Sequence, residues 1–137
     1  MVEQMINQMI GKNILFIDLE TTGLPLVQPS LHNDHTDNTI YDTSRILQIG
    51  WYYCENFSIP DKNQRTKGIR IQSIECVLRK PEDFDSVSQN STLIHGISFE
   101  QATDNGITME NILNSEFGNR FIQCDQISSY NIGFDFN

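Results

Sequence analysis

At 137 residues, with 38% hydrophobic residues and a formal net charge of −9, the chain has room for one core and one domain, since single cores run to roughly 100 to 200 residues. No run approaches the roughly 20 apolar residues that span a bilayer, and the N-terminus has neither a basic segment nor a long apolar stretch, so the sequence reads as soluble and intracellular, in cytoplasm or nucleus, with no membrane partner. The charge is uneven: residues 1–80 carry 8 Lys and Arg against 9 Asp and Glu, whereas residues 81–137 carry only Arg120 against 9, which argues against purely electrostatic binding of nucleic acid.

The opening MVEQMINQMIGK sets Val2, Met5, Ile6, Met9 and Ile10 at helical spacing with Gly11 as a stop, and predicts a short helix covering apolar surface. Residues 13–20 predict a first strand. The polar, turn-rich LVQPSLHNDHTDNTIYDTS reads as a loop. Its His32, Asp34, His35 and Asp37 have no regular element to fix their geometry, so a solvated loop is favoured over a metal site. SRILQIGWYYCEN predicts a second strand, with Leu47 and Ile49 on one face and Ile46 and Gln48 on the other, and GIRIQSIECVLRK a third. The polar SIPDKNQRTKG between them makes a long hairpin connection. Arg65, Lys67, Arg70, Arg79 and Lys80 gather around it as a solvated edge that discourages aggregation, with phosphate contact as the alternative role.

NSTLIHGISFEQATDNG reads as short helical pieces separated by glycines. TMENILNSEFGNRFIQC puts Met109, Ile112, Leu113, Phe117 and Phe121 on one face, which predicts one amphipathic helix capped by Thr108. QISSY supplies a fourth strand, after which Asn131 can cap a helix starting at Ile132. Cys54, Cys76 and Cys124 are odd in number and lack ligand spacing, so they predict buried, reduced thiols rather than disulfides or a zinc site. Strands, helical pieces, a strand and a helix start fit an α/β domain with a mixed sheet.

Two acids interrupt the most apolar segment, ILFIDLETTGLP. Side chains of a strand alternate, so Ile14, Phe16, Asp18 and Glu20 share one side and Leu15, Ile17 and Leu19 the other. Both sides are apolar until the acids, the pattern of a central strand covered on both faces. Two neighbouring carboxylates at its carboxyl end oppose each other and need a cation. Arg45 or Arg70 could supply it, or hard divalent ions such as Mg²⁺ or Mn²⁺, which prefer carboxylate oxygen.

FIDLETTGLP resembles the first motif of the DEDD superfamily of 3′–5′ exonucleases, the group holding the proofreading, epsilon-type nucleases, in which D-x-E-T-T-G ends the first strand of a ribonuclease H-like sheet. LIHGIS resembles its H-G-I-[ST] element and YNIGFDFN its second motif, N-x-x-F-D. The three landmarks come in the expected order and cover nearly the whole chain. The resemblance implies a ribonuclease H-like mixed sheet flanked by helices and a phosphodiesterase using two Mg²⁺ or Mn²⁺ ions. Asp18 would bridge the two, Glu20 would bind one and Asp135 would complete the cage. Thr21, Thr22 and Leu24 would hold the terminal nucleotide, with Ile94 as a wedge and His95 beside the terminal base; a satisfied histidine at a helix end is the competing reading of His95. Asn131 and Phe134 would cap and pack. The implied partner is a single-stranded or frayed 3′ end of DNA or RNA, and a polymerase where the enzyme proofreads.

The same family carries a third motif, H-x-x-x-x-D or Y-x-x-x-D, well beyond the second, and no residue after Asp135 matches it. Residues 1–137 therefore read as a single exonuclease domain that is an N-terminal portion, incomplete at the C-terminus, lacking the last helix and third motif and impaired in turnover. Two other readings compete. A catalytically inactive nucleic-acid or protein-binding module would keep the fold. A haloacid dehalogenase-type phosphatase requires D-x-D-x-T, whereas here Glu20 replaces the second Asp.

Overall fold

A computed structural model describes residues 2–25, 43–58 and 71–129, with the backbone alone for 2, 3, 5 and 71–75. In chain order the elements are α1 (Val2–Met9), β1 (Ile14–Thr21), β2 (Ile46–Cys54), β3 (Ile71–Leu78), α2 (Gln89–His95), α3 (Phe99–Asn105), α4 (Met109–Leu113), α5 (Glu116–Gln123) and β4 (Gln126–Ser129). The sheet order is β3-β2-β1-β4. β2 pairs antiparallel with both β1 and β3, while β4 runs parallel to β1. β1 is thus the central strand that its apolar sequence predicts.

The period of two decides where the core lies. Leu15, Ile17 and Leu19 stand opposite Tyr53, Trp51 and Ile49, so their side chains emerge on one face. That face packs against Ile112 of α4 and Phe117 of α5. Trp51 meets Phe117 edge-on at 5.8 Å between ring centroids, and the Arg120 guanidinium covers the Tyr53 ring at 4.7 Å. The other face is only partly covered among the described residues. There Phe16 and Tyr52 stack at 4.4 Å and 11°, while Asp18, further along the strand, is exposed.

Local sequence signals account for most helix ends. α1 stops before Gly11, which takes φ 79° and donates its N–H to the Phe57 carbonyl at 2.8 Å. Thr108 caps α4, accepting from the Asn111 N–H. Ser98 caps α3 in a reciprocal box, its hydroxyl accepting from the Gln101 N–H and the Gln101 side chain accepting from the Ser98 N–H. Ser98→Ala should lower unfolding stability by about 1 kcal/mol, read as a fall in melting temperature; an unchanged melt would show that α3 does not depend on the box.

One expected helix is two. The apolar spacing from Met109 to Phe121 runs through a break at Asn114 and Ser115, where α4 ends and α5 begins. Ser115 is responsible: its hydroxyl donates to the Ile112 carbonyl at 2.6 Å and accepts from the Phe117 N–H at 3.3 Å, competing with the helical ladder. The chain turns there, so Leu113 and Phe121 become exposed while Ile112 and Phe117 stay buried. The cysteines are free, as expected, but only Cys54 is buried and Cys76 is exposed. Cys76 shares the row of Gly50, on the thinly covered face of the sheet.

Candidate active site at the end of the first strand

Asp18 and Glu20 leave β1 on the face away from α4 and α5, at its carboxyl end. Across the ladder Asp18 lies opposite Gly50 and Glu20 opposite Gln48, and the register slips between Glu20 and Thr21. Among the described residues neither carboxylate forms an ion pair. The expectation that a buried pair must be held by a cation is corrected in one respect: Asp18 is exposed and Glu20 half-buried, so water meets part of their solvation. Arg45, one of the two arginines considered for that role, lies 3.9 Å from Asp83; the other, Arg70, lies outside the described residues.

Gly50 is a site feature that the sequence reading passed over. A glycine in the middle of a strand sacrifices packing and often marks a close approach. A Cβ placed there would lie 4.0 Å from Asp18 Cβ and 3.6 Å from Cys76 Sγ. These are ordinary van der Waals distances, so Gly50 is a close cross-strand neighbour of Asp18 on the same face of the sheet, and the glycine in QIGWYY was the available signal. Two hard oxygen donors on one face, with no ion pair to a cation among the described residues, fit a hydrated divalent ion.

The TTG segment is held by backbone. Thr22 is buried; its hydroxyl donates to the Thr43 carbonyl at 3.2 Å and accepts from the Arg45 N–H at 3.0 Å. Thr21 Oγ1 donates to the Gly23 carbonyl at 2.8 Å. Gly23 lets the chain at Thr43 pass close, since a Cβ on it would sit 2.7 Å from the Thr43 carbonyl oxygen. Leu24, in contrast, is 79% exposed. On α2, Leu93 and Ile94 are also exposed, and His95 at its end reaches the Thr21 carbonyl through Nε2 at 3.2 Å. The structure thus brings Thr21, Thr22 and His95 together with the strand that carries Asp18 and Glu20.

Asp135, Asn131 and Phe134 lie outside the described residues, as do His32, Asp34, His35, Asp37, Arg65 and Lys67. β4 runs parallel to β1, and its last described residue, Ser129, pairs opposite Ile17, next to Asp18 in the strand. Among the described residues no three His, Cys, Asp or Glu side chains converge on a common point.

A cleft of ≈ 580 Å³ opens on the far side of Thr22, bounded by Thr43, Ser88 and the 82–86 loop, and holds neither Asp18 nor Glu20. Asp83 in that loop is fixed by the buried Arg79 at 2.8 Å. Glu82 and Asp85 stand beside it, and the Arg79 and Arg45 guanidinium groups offset part of the acidic charge of this loop. Thiol chemistry is disfavoured at Cys54 and Cys124, because burial pushes both thiols above their usual range and keeps them protonated.

No protein-family model and no curated protein matches the chain. Solved structures do. Escherichia coli exonuclease I in complex with a dT13 oligonucleotide superposes with a TM-score of 0.60 at 21% identity, covering 90% of this chain and 22% of that one. The zinc-bound form of an E. coli exonuclease I complex with single-stranded DNA gives 0.60 at 20% identity, again covering 90% and 22%. A moderately thermophilic exonuclease I from Methylocaldum szegediense gives 0.58 at 18%, covering 90% and 21%. The chain therefore spans about a fifth of the length of these proteins. At such identity the likeness is one of fold: a mixed four-stranded α/β sheet flanked by helices, of the ribonuclease H-like kind found in exonuclease I.

Proposed function

We propose that this chain is a metal-dependent 3′–5′ exonuclease that hydrolyses phosphodiester bonds at a single-stranded or frayed 3′ end of DNA or RNA. The observation that carries the reading is the Asp18 and Glu20 pair on one face at the carboxyl end of the central strand, neither of them in an ion pair among the described residues. Its support is the fold shared with exonuclease I structures that hold oligonucleotides.

In this reading Asp18, Glu20 and Asp135 hold two Mg²⁺ or Mn²⁺ ions. When bound, such ions lower the pKa of a water toward neutrality and offset charge on the leaving 3′ oxygen. Hydrated divalent ions suit carboxylates that keep contact with solvent, and the exposure of Asp18 agrees with that. Thr21, Thr22, Leu24, Ile94 and His95 form the seat of the terminal nucleotide, with the backbone at Thr21 and Thr22 and the exposed apolar side chains of Leu24 and Ile94 as its walls. The D-x-E-T-T-G and H-G-I-S wording supports the narrower reading of an epsilon-type enzyme that proofreads beside a polymerase.

The test compares single strands labelled at the 3′ end, with the terminal hydroxyl free or blocked, in the presence of Mn²⁺. Labelled mononucleotide should appear only from the free end and should stop on adding EDTA. Internal cuts, release from the 5′ end or indifference to EDTA would each defeat the proposal.

A further inference from the structure

α2 keeps its place with partial burial only, at Ser91, Thr92 and His95. None of its residues is buried, and Leu93 and Ile94 stand 78% and 84% exposed. Among the described residues two polar ties join it to the end of β1 and the residue that follows, and they land on consecutive carbonyls. The N–H of Ser88, its cap, donates to the Thr22 carbonyl at 2.8 Å. At the other end His95 Nε2 meets the Thr21 carbonyl at 3.2 Å.

The second ring nitrogen fixes what His95 is doing. The Ile97 N–H donates to His95 Nδ1 at 3.1 Å, folded back onto the ring by Gly96 at φ 77°. A nitrogen that accepts carries no proton, so in the neutral ring the proton sits on Nε2 and points at the Thr21 oxygen. An imidazolium would lose the Ile97 bond, and the opposite tautomer would set a lone pair against a carbonyl. With both nitrogens engaged, the ring has none left for a substrate proton or a phosphate oxygen.

We propose that His95 is a positioning residue: by clasping the Thr21 carbonyl it locks α2, with its Leu93 and Ile94 pair, onto the strand end that carries Glu20. It thereby sets the grip on a 3′-terminal nucleotide without a hydrogen bond of its own to the substrate. The inference rests on the exonuclease reading. It separates the two parts that sequence had merged at LIHGIS: Ile94 faces outward toward a ligand, whereas His95 faces inward toward the strand.

The experiment uses three variants with complementary reach. His95→Ala removes both bonds. His95→Asn can offer an oxygen to the Ile97 N–H but is too short for Thr21, whereas His95→Gln can carry an amide N–H to the Thr21 carbonyl. Two readouts are taken: affinity for a fluorescent single strand with a free 3′ end, by anisotropy with Ca²⁺ in place of Mn²⁺, and amide hydrogen exchange of peptides spanning 20–24 and 89–97. Since one such bond is worth about 1 kcal/mol, His95→Ala and His95→Asn should weaken binding by roughly five- to tenfold and speed exchange in both peptides similarly. His95→Gln should stay within about threefold of the parent in both.

Weaker binding with unchanged exchange would mean that His95 touches nucleic acid directly. Faster exchange with unchanged binding would mean that the clasp does not serve the grip. A Gln variant as impaired as the Ala variant would remove Thr21 as the operative partner. A parent protein that does not distinguish a free from a blocked 3′ end defeats the exonuclease reading and the grip with it; the exchange arm still decides whether the clasp holds α2. A melting temperature near the parent's separates all of these from unfolding.

Discussion

Asp18→Ala should cut metal-dependent nucleotide release by at least about a thousandfold while leaving the protein as stable as the parent, or slightly more so. The loss follows from the proposed exonuclease constellation: removing one member of a set that acts together usually costs several orders of magnitude in rate. The stability side follows from the structure. Asp18 is exposed, forms no ion pair among the described residues and shares a face with Glu20, so truncation opens no cavity, breaks no pair and relieves a like-charge repulsion. Asp18→Asn keeps the shape and drops the charge. It should lose nearly as much activity, because a neutral amide is a poorer donor to a hard divalent ion than a carboxylate. Initial rates in Mn²⁺, calorimetric Mn²⁺ binding and thermal melts on the same samples check the three statements. Release within about tenfold of the parent in Asp18→Ala would remove this strand end from the mechanism, since losses at such sites run far larger. A large drop in melting temperature would make Asp18 a structural residue.

The sheet was legible because its signal is local. Alternation in ILFIDLET and ILQIGWYYC sorts Leu15, Ile17, Ile49, Trp51 and Tyr53 onto one face without reference to anything distant, and the caps at Ser98 and Thr108 are equally short-range. The acids stand out in the sequence for a related reason: a carboxylate breaking an apolar strand conflicts with its surroundings, and such conflicts gather at functional sites. What the sequence hid depends on partners far along the chain. Thr22 looks like a polar turn residue, yet it is buried because Thr43 and Arg45 come back to engage its hydroxyl. His95 stayed ambiguous between ligand contact and structural tie because its partner, the Thr21 carbonyl, is 74 residues away. The α4 and α5 break was hidden differently: apolar spacing runs across it undisturbed, and the competing hydroxyl belongs to Ser115, a residue that also occurs on solvated helix faces.

That break gives the largest expected stability change. Gly118 is buried in the first turns of α5, where the helix folds back over the end of α4, and a Cβ on it would overlap the Leu113 carbonyl oxygen and lie 2.6 Å from its carbon. Both obstacles are backbone, so no rotamer change can relieve the clash. To admit a methyl group, α5 must lift from α4, and Phe117, the adjacent residue, must then withdraw from Trp51 and the Leu15 and Ile17 core. Overpacking alone costs about 1 to 3 kcal/mol, and loosening Phe117 adds part of the roughly 3 kcal/mol or more that a buried aromatic contributes. Gly118→Ala should therefore lose about 3 to 4 kcal/mol, a large share of the roughly 5 to 15 kcal/mol available to a domain. Gly96→Ala is the control: its Cβ meets nothing within 4 Å, and only the φ of 77° opposes it, a cost of about 1 kcal/mol. Urea unfolding of the two variants should give midpoints well apart, with Gly118→Ala far lower. Equal midpoints would show that α5 does not cross α4 as tightly as the Leu113 carbonyl requires, and that the helical layer over the core is held by Phe117 alone.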